Sequence, residues 1–204
     1  HKILQQMLEE SGLFAVDITV SPETGSDMSG FLPDFTAYDL VVLDYNGDRW
    51  PEATEVAFTE FVANGGGVVV YHAADNAFPA WVEYNEMTAL GGWEGRDERS
   101  GPYVYVEDGR IVRDDSPGIG GSHGSQHKYL MERFDADHPI VYGLPDKWLH
   151  ATDELYDRMR GPGNIASLLY TAYSDPGTGG TGRNEPLIFT VVYGKGRIFH
   201  TMLG

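Results

Sequence analysis

The stretch GGGVVVYHAAD, residues 65–75, decides the fold predicted for this chain. Three glycines end a helix and turn the chain, and the apolar run Val68–Tyr71 then has the composition of a strand buried on both faces. That strand delivers His72 to its carboxyl end. In open α/β sheets, ligands bind at the carboxyl ends of the parallel strands. The sequence therefore predicts a parallel sheet with a histidine where related enzyme architectures place a Cys or Ser nucleophile.

The segments on either side extend the same pattern. Leu40–Leu43 is a short apolar run, and residues 52–63 have the apolar periodicity of a helix that ends before glycine. A strand, a helix and a strand at this spacing are typical of a βαβ unit. From residue 103 onward, shorter alternating runs predict antiparallel strands inserted into or added to the core sheet. Further strands are predicted at residues 15–20 and 149–156.

The composition limits the class of protein. The chain has 204 residues, 41% of them hydrophobic, which suffices for a single domain with a sizeable core. A formal net charge of -17 disfavours nucleic acid and anionic lipid as partners, and no apolar run is long enough to span a membrane. Cysteine is absent, so a cysteine nucleophile and thiolate metal ligands are excluded. The compartment stays open between the cytoplasm and a periplasmic or secreted location.

Four runs of sequence together resemble the ThuA-like family, which is named for trehalose utilisation. They are GGGVVVYHAADNAFPAW (65–81), HPIVYGLPDKW (138–148), DELYDRMRGP (153–162) and YGKGRIFHTMLG (193–204). The resemblance implies a flavodoxin-like α/β fold, similar to class I glutamine amidotransferases, with a mostly parallel sheet, helices on both faces and inserted antiparallel strands. Residues 1–204 are then expected to form one ThuA-like domain that lacks the first strand and the closing helix usual in the family.

The same resemblance implies a function in carbohydrate catabolism. The expected activity is hydrolase or lyase processing of a disaccharide or a 3-keto glycoside, in a pathway shared with a sugar-oxidising dehydrogenase. The alternative is a carbohydrate-binding or accessory domain of a larger protein, without turnover. An amidotransferase is disfavoured because the chain has no cysteine.

The candidate catalytic residues are His72, Asp153 and Glu154. Imidazole titrates near neutral pH, so His72 is suited to act as a general base or as a metal ligand. Paired carboxylates are typical of glycoside chemistry. Because adjacent residues of a strand point to opposite faces, we expect at most one of Asp153 and Glu154 to reach the same pocket as His72.

The candidate substrate-binding residues offer hydrogen bonds, charge or an aromatic face to a sugar. They are Tyr45, Asp75, Asn76, Trp81, Arg160 and Arg183. No cofactor is required by the sequence. His123 and His127, four residues apart, are candidates for a divalent metal if a third ligand comes from elsewhere, or for direct contacts with a sugar. The glycines around them disfavour the helix that would align the two imidazoles.

Overall fold

The computed structural model describes residues 2–204 of the chain. Within them the α-helices are α1 (Lys2–Glu10), α2 (Glu52–Ala63) and α3 (Val82–Thr88). Short 3₁₀ turns occur at Phe35–Ala37, His72–Asn76, Glu98–Ser100, Pro139–Val141 and Pro176–Thr178. None of the helices in this part of the chain has the length and apolar character needed to cross a membrane.

The same residues form strands in two sheets. In chain order the strands are β1 (Leu40–Leu43), β2 (Gly67–Tyr71), β3 (Tyr103–Glu107), β4 (Arg110–Asp114), β5 (Ser122–His123), β6 (Leu130–Arg133), β7 (Lys147–Leu149), β8 (Tyr156–Asp157), β9 (Ser167–Tyr173), β10 (Asn184–Tyr193) and β11 (Gly196–Thr201). The larger sheet has the order β1-β2-β11-β10-β9-β6-β7, and β3 pairs with both β10 and β4. The smaller sheet is the pair β5 and β8.

The predicted parallel sheet is found only in the core of a mixed sheet. β1, β2 and β11 pair in parallel, whereas β10, β9, β6, β7, β3 and β4 join through antiparallel pairs. The α/β class and the added antiparallel strands are therefore confirmed, but the antiparallel part is larger than predicted. Sequence alternation does not report the direction of a partner strand, which explains the difference.

Local sequence explains the elements around β2. Helix α2 carries Glu52 and Glu55 in its first turn, where carboxylates are stabilised by the helix dipole, and it ends at a glycine pair. Its buried residue Phe58 lies 6.1 Å, ring to ring, from Trp81 at the start of α3. On β2, Val68 and Val70 are buried by this aromatic core, and the alternate residues are only half-buried. Helix α1 buries no residue, and the expectation of helices on both faces of the sheet stays a prediction.

Two strand predictions are wrong. Residues 15–20 alternate in polarity but belong to no strand, and Val20 is 72% exposed. Alternation stabilises a strand only when a neighbour accepts its hydrogen bonds, and no strand in residues 2–204 pairs with this segment. Residues 149–156 are interrupted between β7 and β8, where the side chains of His150 and Asp153 bond to each other across a turn, with Nε2 and Oδ2 3.1 Å apart.

Candidate functional site

His72 lies where the sequence predicts it, at the carboxyl end of β2. The chain turns sharply there, and His72 has a φ of 45°, a conformation that costs free energy in a residue with a side chain. Its Nδ1 is 2.9 Å from the carbonyl oxygen of Met202. A carbonyl only accepts, so Nδ1 carries the hydrogen, and in the neutral ring Nε2 is an acceptor. The side chain is 21% exposed, so this nitrogen can meet a ligand.

Glu154 stands between two imidazoles. Its Oε2 lies 3.9 Å from Nε2 of His72, and its Oε1 lies 3.7 Å from Nε2 of His123. Gln126 donates to the same Oε1 over 3.4 Å. Nδ1 of His123 donates to the carbonyl oxygen of Gly124 over 2.7 Å, so His123 and His72 present the same nitrogen to one carboxylate. We call His72, His123, Glu154 and Tyr156 the imidazole cluster.

Tyr156 completes this cluster, and sequence analysis did not assign it a role. Its hydroxyl lies 3.2 Å from Nε2 of His72, and the two rings stack with centroids 4.6 Å apart. Burial raises the pKa of Tyr156, and the charges of Asp75 and Glu154 raise it further, so the phenol stays protonated and donates. A tyrosine two residues beyond Glu154 is a common pattern, so nothing in the sequence distinguishes it.

Asp153, the neighbour of Glu154, is held in place by hydrogen bonds outside the cluster, although its charge also interacts with His72. Its Oδ2 accepts from the hydroxyl of Tyr129, the backbone N–H of Gly204 and Nε2 of His150. Burial alone would raise the pKa of Asp153, but the backbone N–H groups of Gly204 and Glu154, with His150, hold it below its usual value. Asp153 therefore remains ionised as an anchor, and of the two adjacent carboxylates Glu154 is the one beside His72.

A glycine-rich loop carries His123 to the cluster. Gly121 has a φ of 85°, and a Cβ there would lie 2.4 Å from the backbone nitrogen of Trp93, so only glycine fits. Its own N–H donates to the carbonyl oxygen of Arg158 over 2.9 Å. Trp93 and Arg158 have φ values of 51° and 54°. The loop thus holds strained backbone on both sides of the cluster, and the Trp93 ring packs edge-on against Tyr156 at 4.7 Å.

Three of the predicted substrate contacts lie in the interior. Asp75 is fully buried with its Oδ2 3.2 Å from Nε2 of His200. Asn76 is 6% exposed, and its backbone carbonyl accepts from Arg96 over 2.7 Å. Trp81 is 4% exposed and stacks on Tyr84 in the aromatic core. Packing around the 3₁₀ turn His72–Asn76 thus turns the side chains after His72 inward, leaving them little or no surface for a sugar.

The other three predicted contacts lie apart from His72. Tyr45 is half-buried against Phe78, and its hydroxyl donates to the carbonyl oxygen of Asp48. Arg160 is fully buried and donates to the backbone carbonyls of Gly101 and Ser116. Arg183 lines a different cavity, described below. Of the predicted site residues, the structure thus brings His72, Glu154 and His123 together, and their roles in binding and catalysis remain predictions.

His127 is not part of this group. Its Nδ1 donates to the carbonyl oxygen of Ser125 over 2.7 Å, and its ring packs against Tyr129 rather than Glu154. Residues 2–204 contain no group of three or more His, Cys, Asp or Glu side chains arranged to hold a metal ion. The divalent metal at His123 and His127 stays a prediction.

Comparisons with known proteins agree with this architecture. The family model ThuA, described as trehalose utilisation, matches residues 1–204. A solved ThuA-like protein from Parabacteroides merdae ATCC 43184 is 66% identical with a TM-score of 0.98, over 100% of this chain and 73% of that one. A ThuA-like protein from Bacteroides uniformis ATCC 8492 shares the fold at 15% identity and a TM-score of 0.60, over 100% of this chain and 74% of that one.

No curated protein matches the chain significantly. The family model matches every residue of the chain. The Parabacteroides relative is 66% identical to the chain, which is enough to establish family membership. The chain therefore belongs to the ThuA family, whose description, trehalose utilisation, indicates a role in carbohydrate metabolism.

Proposed function

We propose that this protein cleaves a disaccharide or a glycoside oxidised to its 3-keto form, with His72 as the general base. The observation that carries the proposal is the tautomer of His72, whose Nδ1 donates to Met202 and whose Nε2 is left as an acceptor on a side chain that is 21% exposed. A base within reach of solvent and supported by an ordered partner on its other nitrogen is the arrangement that proton transfer requires.

In a 3-keto glycoside the ketone acidifies the C–H bond between it and the anomeric carbon. Nε2 of His72 takes that proton, and the electrons of the broken bond form an enolate. Tyr156, whose pKa is raised and whose hydroxyl is 3.2 Å from the same nitrogen, donates a hydrogen bond to the enolate oxygen. The enolate then reforms the ketone, the bond to the glycosidic oxygen breaks, and that oxygen takes the proton back from His72.

Glu154 supports this chemistry through charge. When His72 becomes an imidazolium, the carboxylate 3.9 Å away stabilises it, and His123 lies on the other side of the same carboxylate. Adding water to the unsaturated sugar left by elimination would complete a hydrolysis. The acidic chain suits such a substrate, because a neutral sugar is not repelled by a net charge of -17.

The proposal is tested with 3-keto trehalose and a 3-keto glucoside, comparing wild type with His72→Ala. We expect turnover to fall by about 10² to 10⁴-fold, the range supplied by general-base catalysis. Glu154→Gln, which keeps the shape and removes the charge, should lower turnover less. His138→Ala, a histidine at the 3₁₀ turn Pro139–Val141, is the matched control and should be unchanged.

Two outcomes would contradict the proposal. Unchanged turnover in His72→Ala would remove that residue from the mechanism. A wild-type protein that binds the sugars without turning them over would favour the alternative, a carbohydrate-binding domain.

A further inference from the structure

A polar cavity that shares no residue with the imidazole cluster lies beside β3. Its volume is about 230 Å³, and it is lined by Tyr103, Arg158, Thr181 and Arg183. Two of these four side chains are arginines. The chain as a whole has only 14 basic residues against 31 acidic ones, so two guanidinium groups in one cavity are a local reversal of its charge.

Within residues 2–204 the guanidinium of Arg158 forms no hydrogen bond or salt bridge, although its charge interacts with the buried carboxyl of Glu185. Arg158 is exposed, and its backbone is held at a φ of 54° through the hydrogen bond from Gly121 to its carbonyl. A left-handed conformation at a non-glycine residue costs free energy and is concentrated at functional sites. The strained backbone is therefore at Arg158, whose guanidinium contributes a positive charge to this cavity.

The guanidinium of Arg183 is held in place but keeps unused hydrogen-bond donors. Its guanidinium lies over the ring of Tyr105 at 4.0 Å and makes one hydrogen bond, of 3.3 Å, to Oδ2 of Asp114. A guanidinium has five N–H donors in a rigid fork, so most of them remain for a ligand. The stacking on Tyr105 limits the side-chain entropy that binding would cost.

A buried carboxyl lies behind the cavity without cancelling this charge. Oγ1 of Thr181 is 2.7 Å from Oε1 of Glu185. Burial raises the pKa of Glu185 to about 8, and Asp157 contributes, so the group is mostly neutral at pH 7. Oγ1 of Thr181 donates to this carboxyl and accepts from the backbone N–H of Arg183 over 3.2 Å, so the threonine hydroxyl is already used within the protein.

We propose that Arg158 and Arg183 form a binding site for a dianionic oxyanion, the phosphate group of a phosphate monoester. Asp114 offsets part of the charge of Arg183, so Arg158 supplies the uncompensated positive charge, and the N–H forks of both arginines match the phosphate oxygens. A cavity of about 230 Å³ admits the phosphate and the part of the ligand next to it. Neither the family description nor the proposed sugar chemistry at His72 calls for this site.

The site is tested by calorimetric titration of the whole protein at fixed ionic strength. The probes are inorganic phosphate, glucose 6-phosphate, glucuronate and glucose. Glucose 6-phosphate and glucuronate carry a dianion and a monoanion on the same ring, and glucose carries none. We expect both phosphates to bind, glucose 6-phosphate to bind more tightly than glucuronate, and glucose not to bind at the arginines.

The variants are Arg158→Gln and Arg183→Gln, with Arg197→Gln on β11 as the matched control. Arg158 and Arg197 are both exposed, so their replacement leaves the core intact. Each cavity variant should weaken phosphate binding at least about tenfold, and the control should leave it unchanged.

Three results would overturn the proposal. They are no phosphate binding by wild type up to about 10 mM, equal binding by Arg158→Gln, or glucuronate bound more tightly than glucose 6-phosphate. Because binding is measured without turnover, failure here leaves the His72 chemistry untouched, and failure of that chemistry leaves this site untouched.

Discussion

Two histidine–carboxylate pairs in this protein share their local chemistry and differ in exposure. In His72–Glu154 and in His200–Asp75, Nδ1 of the imidazole donates to a backbone carbonyl and Nε2 faces a carboxylate. The His200 side chain and its partner are fully buried, 3.2 Å apart. His72 and Glu154 are 21% and 29% exposed, 3.9 Å apart. Of the two pairs, His72–Glu154 is the one that a ligand can reach from solvent.

The comparison indicates that burial, rather than residue type, separates a structural pair from a reactive one. In the buried pair, His200 and Asp75 share one proton between Nε2 and Oδ2, and burial raises the pKa of Asp75. Its other oxygen, Oδ1, has no hydrogen-bond partner in residues 2–204. A dry, paired imidazole stabilises the fold or specifies its packing, but it cannot exchange protons with a substrate.

The largest expected effect is on stability when the buried pair is broken. His200→Ala leaves the Asp75 carboxyl uncompensated and a void beside Phe189, whose ring lies 4.4 Å from the imidazole. We expect the free energy of unfolding to fall by about 3–5 kcal/mol, measured by urea denaturation. Asp75→Ala in the same background should cost less than it does alone, because the charge that it removes is already unpaired. If His200→Ala lowered the free energy of unfolding by less than about 1 kcal/mol, the buried pair would contribute no more to stability than the exposed pair is expected to.

An intermediate effect is expected at a buried carboxyl that has no imidazole. The pKa of Glu185 is about 8 in the folded chain, above its ordinary value of 4.5, so the folded state holds a proton that the unfolded state releases. The contribution of Glu185 is therefore full below pH 4.5 and is lost as the pH rises through 8.

This pH dependence is measured as the free energy of unfolding between pH 5 and 8. Wild-type stability should decline by an extra amount of the order of 1 kcal/mol per pH unit relative to Glu185→Gln, which keeps an acceptor for Thr181 and cannot ionise. Asp157, Arg158 and Arg183, which interact with Glu185, are the same in both proteins. Parallel pH profiles would show that Glu185 ionises normally.

The smallest expected effect is on stability at the exposed pair. His72→Asn keeps a side chain that tolerates the φ of 45° and loses the hydrogen bond to Met202. The free energy of unfolding should change by less than about 1 kcal/mol, although the same change should abolish most turnover. Measuring urea denaturation together with the activity assay separates the effect on stability from the effect on turnover. A loss as large as that of His200→Ala would mean that His72 is a structural residue.

The position of His72 was predictable because it depends on a short range of the chain. A glycine turn, a run of β-branched residues and the polarity change at residue 72 are local signals, and the rule for parallel strands places the histidine at the binding edge. The same rule did not predict that Asp75, Asn76 and Trp81 are buried, although they follow His72 within ten residues. Their burial depends on how the 3₁₀ turn packs under α3 and β11.

The choice between Asp153 and Glu154 was predictable only in part. Strand alternation indicates that one of the two reaches the pocket. Two of the donors that hold Asp153 come from Tyr129 and Gly204, which are 24 and 51 residues away in sequence. Tyr156 and Trp93 likewise join the cluster through contacts across loops.

Several features follow from the sequence alone. The order of the motifs indicates the family, hydrophobic periodicity indicates the α/β class and the strand that carries His72, and the composition makes the surface acidic. Three features became known only from the tertiary structure. His200 is buried and His72 is exposed, Glu154 is the carboxylate that contacts His72, and Arg158 and Arg183 line one cavity. Burial and convergence arise from segments far apart in sequence, and periodicity describes a face without saying what covers it.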